Sequence, residues 1–434
     1  MLDKDKFSSY HKAIQYLENL GNLGAGYQKT DLRSHPRPQI FLERMQDFLD
    51  LLGNPENGSK FVHITGTAGK GSVATAVHGE LVRAKKKSGL FTSPFTVSTI
   101  EKIQVGGKYI DPVAFAEITD RIKPVVDQMR SSGRHGAPSY FEMILAIAFL
   151  YFKKEKCEYV VLEVGLGGRY DATNIIKSPL VTAITNIGLD HTKILGSRRS
   201  MIARDKAGII KKGSKFFTTE GDPSILQIFR QICRDVGAEY HPIRVSGTDY
   251  VTQNQLLVGN ICKSLGTVSR VEEVGNPPKL PARFEIMEVN PFVIIDGAHN
   301  PSKIESTIHN LQRSKYENLI LVIAISADKD WKKMLNMIVP LARTIYVTRF
   351  SASNRPSVDP ELLLKEAGKY VKANCSVHLN PDPHKAFHEA REMLTTEDAL
   401  LVVGSFYLAG DIRALYCSEE KILEQRNACI REVS

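Results

Sequence analysis

The sequence lacks the features that would place the chain in a membrane, a secretory pathway or a zinc-binding class. It begins MLDKDKFSSY, which has no apolar core of the kind a signal peptide needs, and no later apolar run reaches the length of about 18 residues that spans a bilayer. We therefore expect a cytoplasmic protein without a membrane partner. Its six cysteines form no CxxC pair and no zinc-like spacing with histidine, so we expect them to be reduced and structural.

The positive charge of the chain is also not concentrated in one segment. The formal net charge is +9, yet lysine and arginine are spread along the sequence, and the longest cluster is Lys85 to Lys87. A nucleic-acid-binding chain usually gathers its basic residues on one face or in one stripe. We therefore expect no nucleic-acid partner, and small polyanions such as nucleotides fit the charge equally well. A monomer is the default expectation.

The length and the hydrophobic pattern predict two α/β domains. At 434 residues the chain is too long for one ordinary core. From Phe61 onward, apolar strand-like runs alternate with helical patterns, and a second such rhythm begins after Pro281, which is typical of mainly parallel sheets covered by helices. The Pro- and Gly-rich composition of the segment Val271 to Arg283 is typical of a linker. We place the boundary near residue 285, giving domains 1–285 and 286–434.

The strongest local signal is the segment GTAGKGS, Gly66 to Ser72, between the apolar strand FVHIT and an amphipathic helix. Glycines let backbone N–H groups turn toward a polyphosphate, a helix N-terminus adds partial positive charge, and Lys70 adds a full one. The hydroxyl of Ser72 is placed to bind a Mg²⁺ ion. The order of strand, glycines, lysine, hydroxyl and helix therefore predicts an ATP-binding loop.

Two further residues stand just beyond apolar strands. Glu163 ends the strand YVVLE, so its carboxylate is expected at the carboxyl end of a parallel sheet, where ligand sites of α/β proteins form. His191 follows the run LVTAITNIG, and a neutral imidazole is an acceptable ligand for a divalent cation. Both residues are candidate Mg²⁺ ligands.

The GTxGKGS form of the phosphate loop is followed along the chain by a series of further motif-like segments. These segments are Phe91–Pro94, Val161–Asn174, Leu189–Gly196, Asp205–Gly213, Ala282–Glu285, Asp296–Pro301, Ala327–Asp330 and Gly404–Gly410. In this order they resemble segments of the folylpolyglutamate synthase / dihydrofolate synthase family of the Mur ligase superfamily, and the resemblance runs from about Tyr16 to Ala414.

The resemblance implies a fold and an activity. The fold is an amino-terminal P-loop-type Mur ligase central domain with a mainly parallel sheet, followed by a smaller, Rossmann-like glutamate ligase domain. The activity is ATP-dependent ligation of L-glutamate to dihydropteroate, to (poly)glutamylated reduced folate, or to both, through an acyl phosphate. ADP and phosphate are released, and the second domain closes over the site to exclude water.

The resemblance also implies residue roles. The predicted metal ligands, for two Mg²⁺ ions, are Ser72, Ser93, Glu163, His191 and Lys206. The predicted nucleotide-binding residues are Gly66, Thr67, Gly69, Lys70, Gly71, Ser72, Asn254, Arg283 and Asp296. Lys70, Lys206 and His191 are the predicted catalytic residues. Lys206 matches a lysine that is carbamylated in relatives, which turns an ammonium into a carboxylate-like group; an unmodified Lys206 would instead neutralise phosphate charge or pair with Asp205.

The substrates are assigned in the same way. The acceptor is predicted to bind the segment from Asn22 to Ala25 together with Tyr140, Phe141, Glu142, Tyr170, Asp171 and Ala172, since aromatic faces suit a flat heterocycle. Glutamate is predicted to bind His299, Asn300, Asp328 and Asp330.

Several positions depart from the family pattern. Ala68 stands where Asn is common, Phe95 where His is common, and Asp205 where Glu is common, and the stretch Thr30 to Pro38 is longer than expected. Phe95 lies near the predicted metal and acceptor site, so the identity of the acceptor stays open. The alternative is a related Mur-type ligase acting on a different carboxylic acid; a regulatory nucleotide-binding protein is disfavoured because Lys70, Glu163, His191 and Lys206 are all retained.

Overall fold

The structure, a computed structural model, describes residues 6–23, 38–132, 134–245, 249–276, 278–350 and 356–430. Of the predicted acceptor segment, Gly24 and Ala25 lie outside these ranges, as does nearly all of the stretch from Thr30 to Pro38. The chain divides into two compact units, Met1–Phe95 with Thr99–Pro278, and Lys279–Ser434 with Thr96–Ser98. The domain boundary near residue 285 stays a prediction, and each unit is described by itself.

In the described part of the first unit, the strands form one mainly parallel sheet in the order β4-β3-β2-β5-β1-β6-β7-β8. Only the short β3, near one edge, runs opposite to the other strands, and it pairs antiparallel with both β2 and β4. The strands are β1 (Lys60–Thr65), β2 (Ser88–Phe91), β3 (Ile103–Val105), β4 (Lys108–Tyr109), β5 (Tyr159–Glu163), β6 (Val181–Ile184), β7 (Lys215–Thr218) and β8 (Glu239–Pro242). After its exposed first residue, β1 is buried throughout, as expected for a central strand covered on both faces.

Helices cover this sheet. They are α1 (Ser8–Leu23), α2 (Ile40–Leu51), α3 (Lys70–Arg83), α4 (Pro112–Ser132), α5 (Tyr140–Lys154), α6 (Thr192–Leu195), α7 (Arg199–Lys206), α8 (Pro223–Val236) and α9 (Tyr250–Ser264). Helix α5 begins at a capping box, in which Ser139 and Glu142 bond each other's backbone N–H, and its body is buried almost entirely. Among the described residues, no helix is both long and apolar enough to cross a membrane.

The second unit is built on a sheet in the order β13-β12-β11-β14-β10-β9, in which only β9 is antiparallel. Its strands are β9 (Glu285–Glu288), β10 (Phe292–Ile295), β11 (Leu319–Ile323), β12 (Thr344–Val347), β13 (Ser376–Leu379) and β14 (Ala399–Val403). Its helices are α10 (Pro301–Gln312), α11 (Trp331–Ile338), α12 (Pro360–Ala367), α13 (Pro383–Glu392), α14 (Phe406–Arg413) and α15 (Glu419–Gln425). The predicted fold class, two α/β units with mainly parallel sheets, is confirmed.

One expectation about the cysteines was wrong. Cys417 and Cys429 are joined by a disulfide, although all six cysteines were expected to be reduced. The two residues are twelve positions apart, and the chain turns back after α15, so no short cysteine motif signals the pairing. The remaining cysteines are free, and Cys157, Cys233 and Cys262 are buried.

Candidate active site

The candidate site lies at the edge of the first sheet where the parallel strands end, here called the carboxyl edge. Strand β1 lies between β5 and β6, and Ile64 of β1 is in register with Glu163 of β5. The last residue of β2, Phe91, is in register with Leu162 of β5. Ligand sites of open α/β sheets form at this edge. The register therefore brings the phosphate loop, Glu163 and the segment after β2 to one side of the sheet.

The phosphate loop needs its glycines. Gly66 and Gly69 have φ values of 154° and 80°, which side chains with a Cβ rarely adopt. A Cβ at Gly66 would also collide with the hydroxyl of Thr185, and one at Gly69 would lie 2.8 Å from the side-chain oxygen of Asn254. The loop is thus closely surrounded, and α3 begins directly at Lys70.

Sequence reasoning missed the residues that hold this loop. After β6, the backbone N–H of Ala68 donates to Asn186 Oδ1 at 2.9 Å, and the hydroxyl of Thr185 donates to the Ala68 carbonyl at 2.6 Å. The N–H of Gly188 donates to Thr67 Oγ1 at 2.9 Å. The sequence does carry a signal for these residues: the run TNIG directly follows β6, the strand that neighbours β1, and so places polar side chains beside the phosphate loop.

Two lysines meet at the start of the phosphate loop. Lys70 Nζ donates to the carbonyl oxygen of Gly66 at 3.0 Å, and Lys206 Nζ donates to the same oxygen at 2.9 Å. Lys206 is buried, and its pKa is lowered to about 7, first by burial and then by the nearby charge of Lys70. The structure therefore brings the two predicted catalytic lysines together, and the lowered pKa leaves Lys206 partly neutral near pH 7.

Glu163 lies beside both the start of α3 and the segment after β2. Its carboxylate is 3% exposed and accepts a bond from the backbone N–H of Ser93 at 3.0 Å. A Cβ at Gly71 would lie 3.3 Å from the same oxygen, so Glu163 packs against the helix turn that carries Ser72. Three of the predicted metal-site positions, Glu163, Ser93 and Ser72, are thereby neighbours.

These residues fit a Mg²⁺ ion on the chemistry of their donors. In the described ranges, no three His, Cys, Asp or Glu side chains gather into a complete metal-holding group. Mg²⁺ is normally bound by one or two carboxylates together with waters and substrate phosphates, and it prefers oxygen ligands. A buried carboxylate beside two serines at a phosphate loop matches that pattern.

His191 lies on the other side of β1 from Glu163, beyond the end of β6. It precedes α6 in a left-handed conformation, with φ of 49°, and its backbone N–H donates to Asp190 Oδ1 at 2.9 Å. Its side chain is 29% exposed, so it is accessible to a ligand. Its role as a metal ligand stays a prediction.

Asn254, predicted to face adenine, lies on α9 with its side chain against Gly69. This contact places a hydrogen-bonding amide directly beside the phosphate loop. The amide's role toward the nucleotide stays a prediction.

A buried hydrogen-bonded chain supports the loop that follows Glu163. Asp171 accepts from the backbone N–H of Leu166 at 2.9 Å and from the hydroxyl of Thr173 at 2.5 Å, and Thr173 Oγ1 lies 2.9 Å from His63 Nε2. Burial raises the pKa of Asp171 and lowers that of His63 to about 3. Since the Thr173 proton points to Asp171, neutral His63 donates from Nε2. Tyr170, next to this chain, is half-buried.

Three of the predicted acceptor residues stand at the start of α5, and each has its own contacts. The hydroxyl of Tyr140 lies 3.2 Å from Thr99 Oγ1, and the ring of Phe141 packs edge-on against Phe91 at 5.6 Å between centroids. The carboxylate of Glu142 binds the Arg44 guanidinium in a buried pair and also accepts from the Ser139 N–H at 2.6 Å. An acceptor contact for Glu142 stays a prediction, and the carboxylate already holds α2 against α5.

The second unit holds two of the predicted nucleotide-binding residues, Arg283 and Asp296. The Arg283 guanidinium lies 4.1 Å from the centre of the Phe406 ring. Asp296 is buried and accepts from the Thr307 hydroxyl at 2.8 Å and from the Ala298 N–H at 3.0 Å. Burial raises the pKa of Asp296, and the charge of Arg283 opposes that shift.

The predicted glutamate residues fall into two groups within this unit. His299 lies near the Phe406 ring, its Nδ1–H donates to the Gly297 carbonyl at 2.8 Å, and its Nε2 accepts from Lys303 at 3.1 Å. Burial and the charge of Lys303 hold its pKa well below the usual range. Asn300 caps α10. Asp328 and Asp330 are exposed in the turn before α11.

The chain matches two known domain families in order. Residues 64–239 match the Mur ligase middle domain, and residues 282–406 match the Mur ligase glutamate ligase domain. Among solved structures, a Mycobacterium tuberculosis folylpolyglutamate synthase complexed with ADP and AMPPCP superimposes with a TM-score of 0.81, at 25% identity over 94% of this chain and 99% of that one. The folylpolyglutamate synthase from Thermotoga maritima gives 0.76, at 28% identity over 95% and 97%.

Curated relatives agree with this assignment. The chain is 31% identical to the dihydrofolate synthase/folylpolyglutamate synthase of Bacillus subtilis over 86% of its own length and 94% of the relative. It is 30% identical to the Mycobacterium tuberculosis protein of the same description over 76% and 77%. With the Mur ligase domains, the fold and the phosphate loop in agreement, this chain belongs to the folylpolyglutamate synthase / dihydrofolate synthase family of Mur ligases.

Proposed function

We propose that this protein is an ATP-dependent ligase that joins L-glutamate to dihydropteroate, to (poly)glutamylated reduced folate, or to both. One observation carries the proposal. Lys70 and Lys206 both donate to the carbonyl oxygen of Gly66 in the phosphate loop, and the same loop packs against the Glu163 carboxylate at Gly71. Membership of the family supports the choice of folate-type acceptors and of glutamate.

The first step activates a carboxylate. A carboxylate resists attack by an amine because its leaving group would be oxide. An oxygen of the acceptor carboxylate attacks the γ-phosphorus of ATP, the bond to the β-phosphate oxygen breaks, and ADP leaves. Lys70 and the N-terminus of α3 stabilise the negative charge on the transferring group. The product is an acyl phosphate, whose phosphate is a good leaving group.

The second step forms the amide. The neutral amine of glutamate attacks the acyl carbon, a tetrahedral intermediate forms, phosphate leaves and the amine loses a proton. In this proposal Arg283 and Asp296 hold the nucleotide, and His299, Asn300, Asp328 and Asp330 hold glutamate. Tyr140, Phe141, Tyr170 and Asp171 bind the acceptor.

Ser72, Ser93, Glu163 and His191 would hold one Mg²⁺ ion, and Lys206 would take part in holding a second. When bound, Mg²⁺ offsets charge on the phosphate oxygens. The close approach of Glu163 to Ser93 N and Gly71 supports the first site.

We infer that Lys206 is carbamylated in the active protein. Carbamate formation needs a neutral amine to attack CO₂, and a lysine whose pKa is about 7 supplies a large neutral fraction at physiological pH. The neutral fraction rises as pH increases through 7, so modification should increase over the same range. In ¹³C-bicarbonate, the wild-type protein should show a carbamate carbonyl signal by NMR that the Lys206→Ala variant lacks. A wild-type spectrum without that signal would refute the modification.

The activity itself is tested by a coupled ATPase screen. Dihydropteroate, tetrahydrofolate, its glutamylated forms and unrelated carboxylic acids are each supplied with and without glutamate, and products are identified by mass. We expect phosphate release that depends on both a folate-type acid and glutamate, with a product heavier by one glutamyl residue. Turnover with an unrelated acid alone would instead establish a Mur-type ligase with a different acceptor.

A further inference from the structure

A buried lysine at the carboxyl edge lies between two aromatic rings and is not used by the mechanism above. Lys102 is 7% exposed, and its Nζ lies 4.9 Å from the centre of the Phe95 ring and 4.5 Å from that of Tyr140. The same nitrogen is 3.4 Å from the Tyr140 hydroxyl, which in turn contacts Thr99. We call Phe95, Thr99, Lys102 and Tyr140 the lysine cage.

Among the residues that the structure describes, no carboxylate lies within ion-pairing distance of Lys102. Lys60 gives a useful contrast. Its ammonium also lies over a ring, 5.1 Å from the centre of Tyr159, but it is exposed and pairs with Glu158 at 2.9 Å. A buried charge normally has an opposite charge as its partner, and ring faces replace that partner only in part. The lysine cage therefore has the electrostatics of a site that receives an anion.

The lysine cage belongs to the same edge as the phosphate loop. Ile103, the residue after Lys102, is in register with Phe91 at the end of β2. The carbonyl of Lys102 accepts from the N–H of Thr92 at 3.0 Å, and the next N–H, that of Ser93, donates to Glu163. Lys102 is thus joined to the candidate metal site by consecutive backbone contacts.

The spacing of the strands indicates which anion it receives. From β1, which leads into the phosphate loop, to β3, which follows Lys102, there are three strand steps, through β5 and β2. At about 4.8 Å a step this is roughly 14 Å. The reacting carboxylate must meet the γ-phosphate at the phosphate loop. This spacing separates the backbones, and the long Lys102 side chain covers part of it, so the anion at Lys102 is a group of the acceptor close to the reacting carboxylate and not that carboxylate itself.

We propose that Lys102 binds the non-reacting α-carboxylate of a glutamylated acceptor and so favours glutamylated folates over dihydropteroate. Dihydropteroate carries only the carboxylate that reacts, whereas each γ-linked glutamyl residue adds an α-carboxylate. The half-buried rings of Phe95 and Tyr140 would flank that group. This inference rests on the proposed function and makes the acceptor more specific. It also gives a role to Phe95, which stands where the family commonly has histidine.

The test compares acceptor binding in wild type, Lys102→Met and Lys102→Arg, each with a non-hydrolysable ATP analogue, by calorimetry. Lys102→Met should weaken binding of the mono- and diglutamate of tetrahydrofolate by about 10- to 100-fold, the range expected for a lost charge-assisted hydrogen bond. Binding of dihydropteroate should change by less than about 3-fold, since its carboxylate lies elsewhere. Lys102→Arg should restore most of the loss, and the control Lys60→Met should change neither acceptor.

Equal weakening for dihydropteroate and the glutamylated acids would overturn the inference, because Lys102 would then contact a part common to both. Unchanged binding of the glutamylated acids would overturn it as well. A ligand-side measurement does not depend on folding of a variant: a folate whose α-carboxylate is replaced by an amide should bind wild type about 10- to 100-fold more weakly. Wild-type protein that ligates dihydropteroate but neither binds nor ligates a glutamylated folate would overturn this inference and leave the proposed function standing, whereas ligation of neither acid would refute the proposed function itself.

Discussion

Lys70 and Lys206 donate to one acceptor, the Gly66 carbonyl oxygen, at 3.0 and 2.9 Å. Two ammonium groups on one oxygen repel each other, and this repulsion contributes to the lowered pKa of Lys206. Either a negative phosphate group or conversion of Lys206 into a carbamate would relieve the repulsion. Because an anion relieves this repulsion, the lysine pair favours binding of a polyanion more strongly than a single lysine would.

Replacing Lys70 by methionine should lower kcat by at least about 100-fold, since it removes a positive charge where the transferring phosphoryl group gains negative charge. It should also raise the pKa of Lys206, whose lowering is partly due to Lys70. The carbamate signal in ¹³C-bicarbonate should then appear at higher pH than in wild type. The matched control is Lys86→Met, at an exposed lysine after α3. Near-normal turnover in Lys70→Met would contradict the assigned role.

Replacing Glu163 by glutamine keeps its shape but removes its charge. We expect a loss in kcat of at least about 100-fold, because this carboxylate is the buried charge placed to hold the cation beside the phosphates. Raising the Mg²⁺ concentration should recover part of the activity. Glu158→Gln, at the exposed residue just before the same strand, serves as the control and should stay active. Full activity of Glu163→Gln at low Mg²⁺ would contradict the assignment of Glu163 as a Mg²⁺ ligand.

Removing the side chain of Asn186 should weaken the binding of ATP. Asn186→Ala leaves the Ala68 N–H without its side-chain acceptor and so loosens the phosphate loop. A typical hydrogen bond contributes about 1 kcal/mol, so the KM for ATP should rise about 5-fold, with a smaller change in kcat. Steady-state kinetics at saturating acceptor measures both values. Asn260→Ala, whose side chain bonds only within α9, should leave the KM for ATP unchanged.

The fold was largely predictable, and the exceptions have physical reasons. Strands buried on both faces, such as β1 and β5, appear in the sequence as continuous apolar runs, and α5 has both an apolar body and a capping box. The short antiparallel β3 and β4 were missed because two or three residues carry too little pattern. The disulfide was missed because pairing between distant cysteines is decided by the path of the chain.

The site was predictable only where a side chain acts in a recognised motif. Lys70 and Glu163 follow from the strand, loop and helix order, and the structure brings their surroundings together. The contribution of Lys102 was not predictable, since it depends on the burial of one lysine between rings from two distant segments. Asn186 was missed because its partner is a backbone N–H that sequence does not show.

Glu142 tests whether a predicted acceptor residue is chiefly structural. Glu142→Ala removes one partner of a buried ion pair and leaves the Arg44 charge behind, which typically costs about 3 to 5 kcal/mol of unfolding free energy. Denaturant unfolding measures that loss. The paired change Arg44→Met with Glu142→Leu should recover most of it, because an apolar pair can replace a buried ion pair. If Glu142 also binds the acceptor, the paired variant will fold but show a raised acceptor KM.

The buried histidines predict how stability depends on pH. Burial lowers the pKa of His63 to about 3 and that of His78 to about 4, whereas the usual pKa of histidine is 6.5. Both side chains therefore stay neutral in the folded chain well below pH 6.5. The unfolded chain takes up these protons below about pH 6.5, so their contribution is fully present above that pH and is lost as pH falls toward the folded values. Each group can change the unfolding free energy by up to about 1.4 kcal/mol per pH unit.

His63→Gln separates one of these contributions. Glutamine retains an N–H that can donate to Thr173, but it does not titrate, so the unfolding free energy between pH 6 and pH 4.5 should fall less steeply than in wild type. The difference in slope should approach about 1.4 kcal/mol per pH unit, measured by urea unfolding at several pH values. His384→Gln, at an exposed histidine, controls for the exchange itself. Equal slopes in wild type and His63→Gln would show that His63 does not remain neutral in the folded chain.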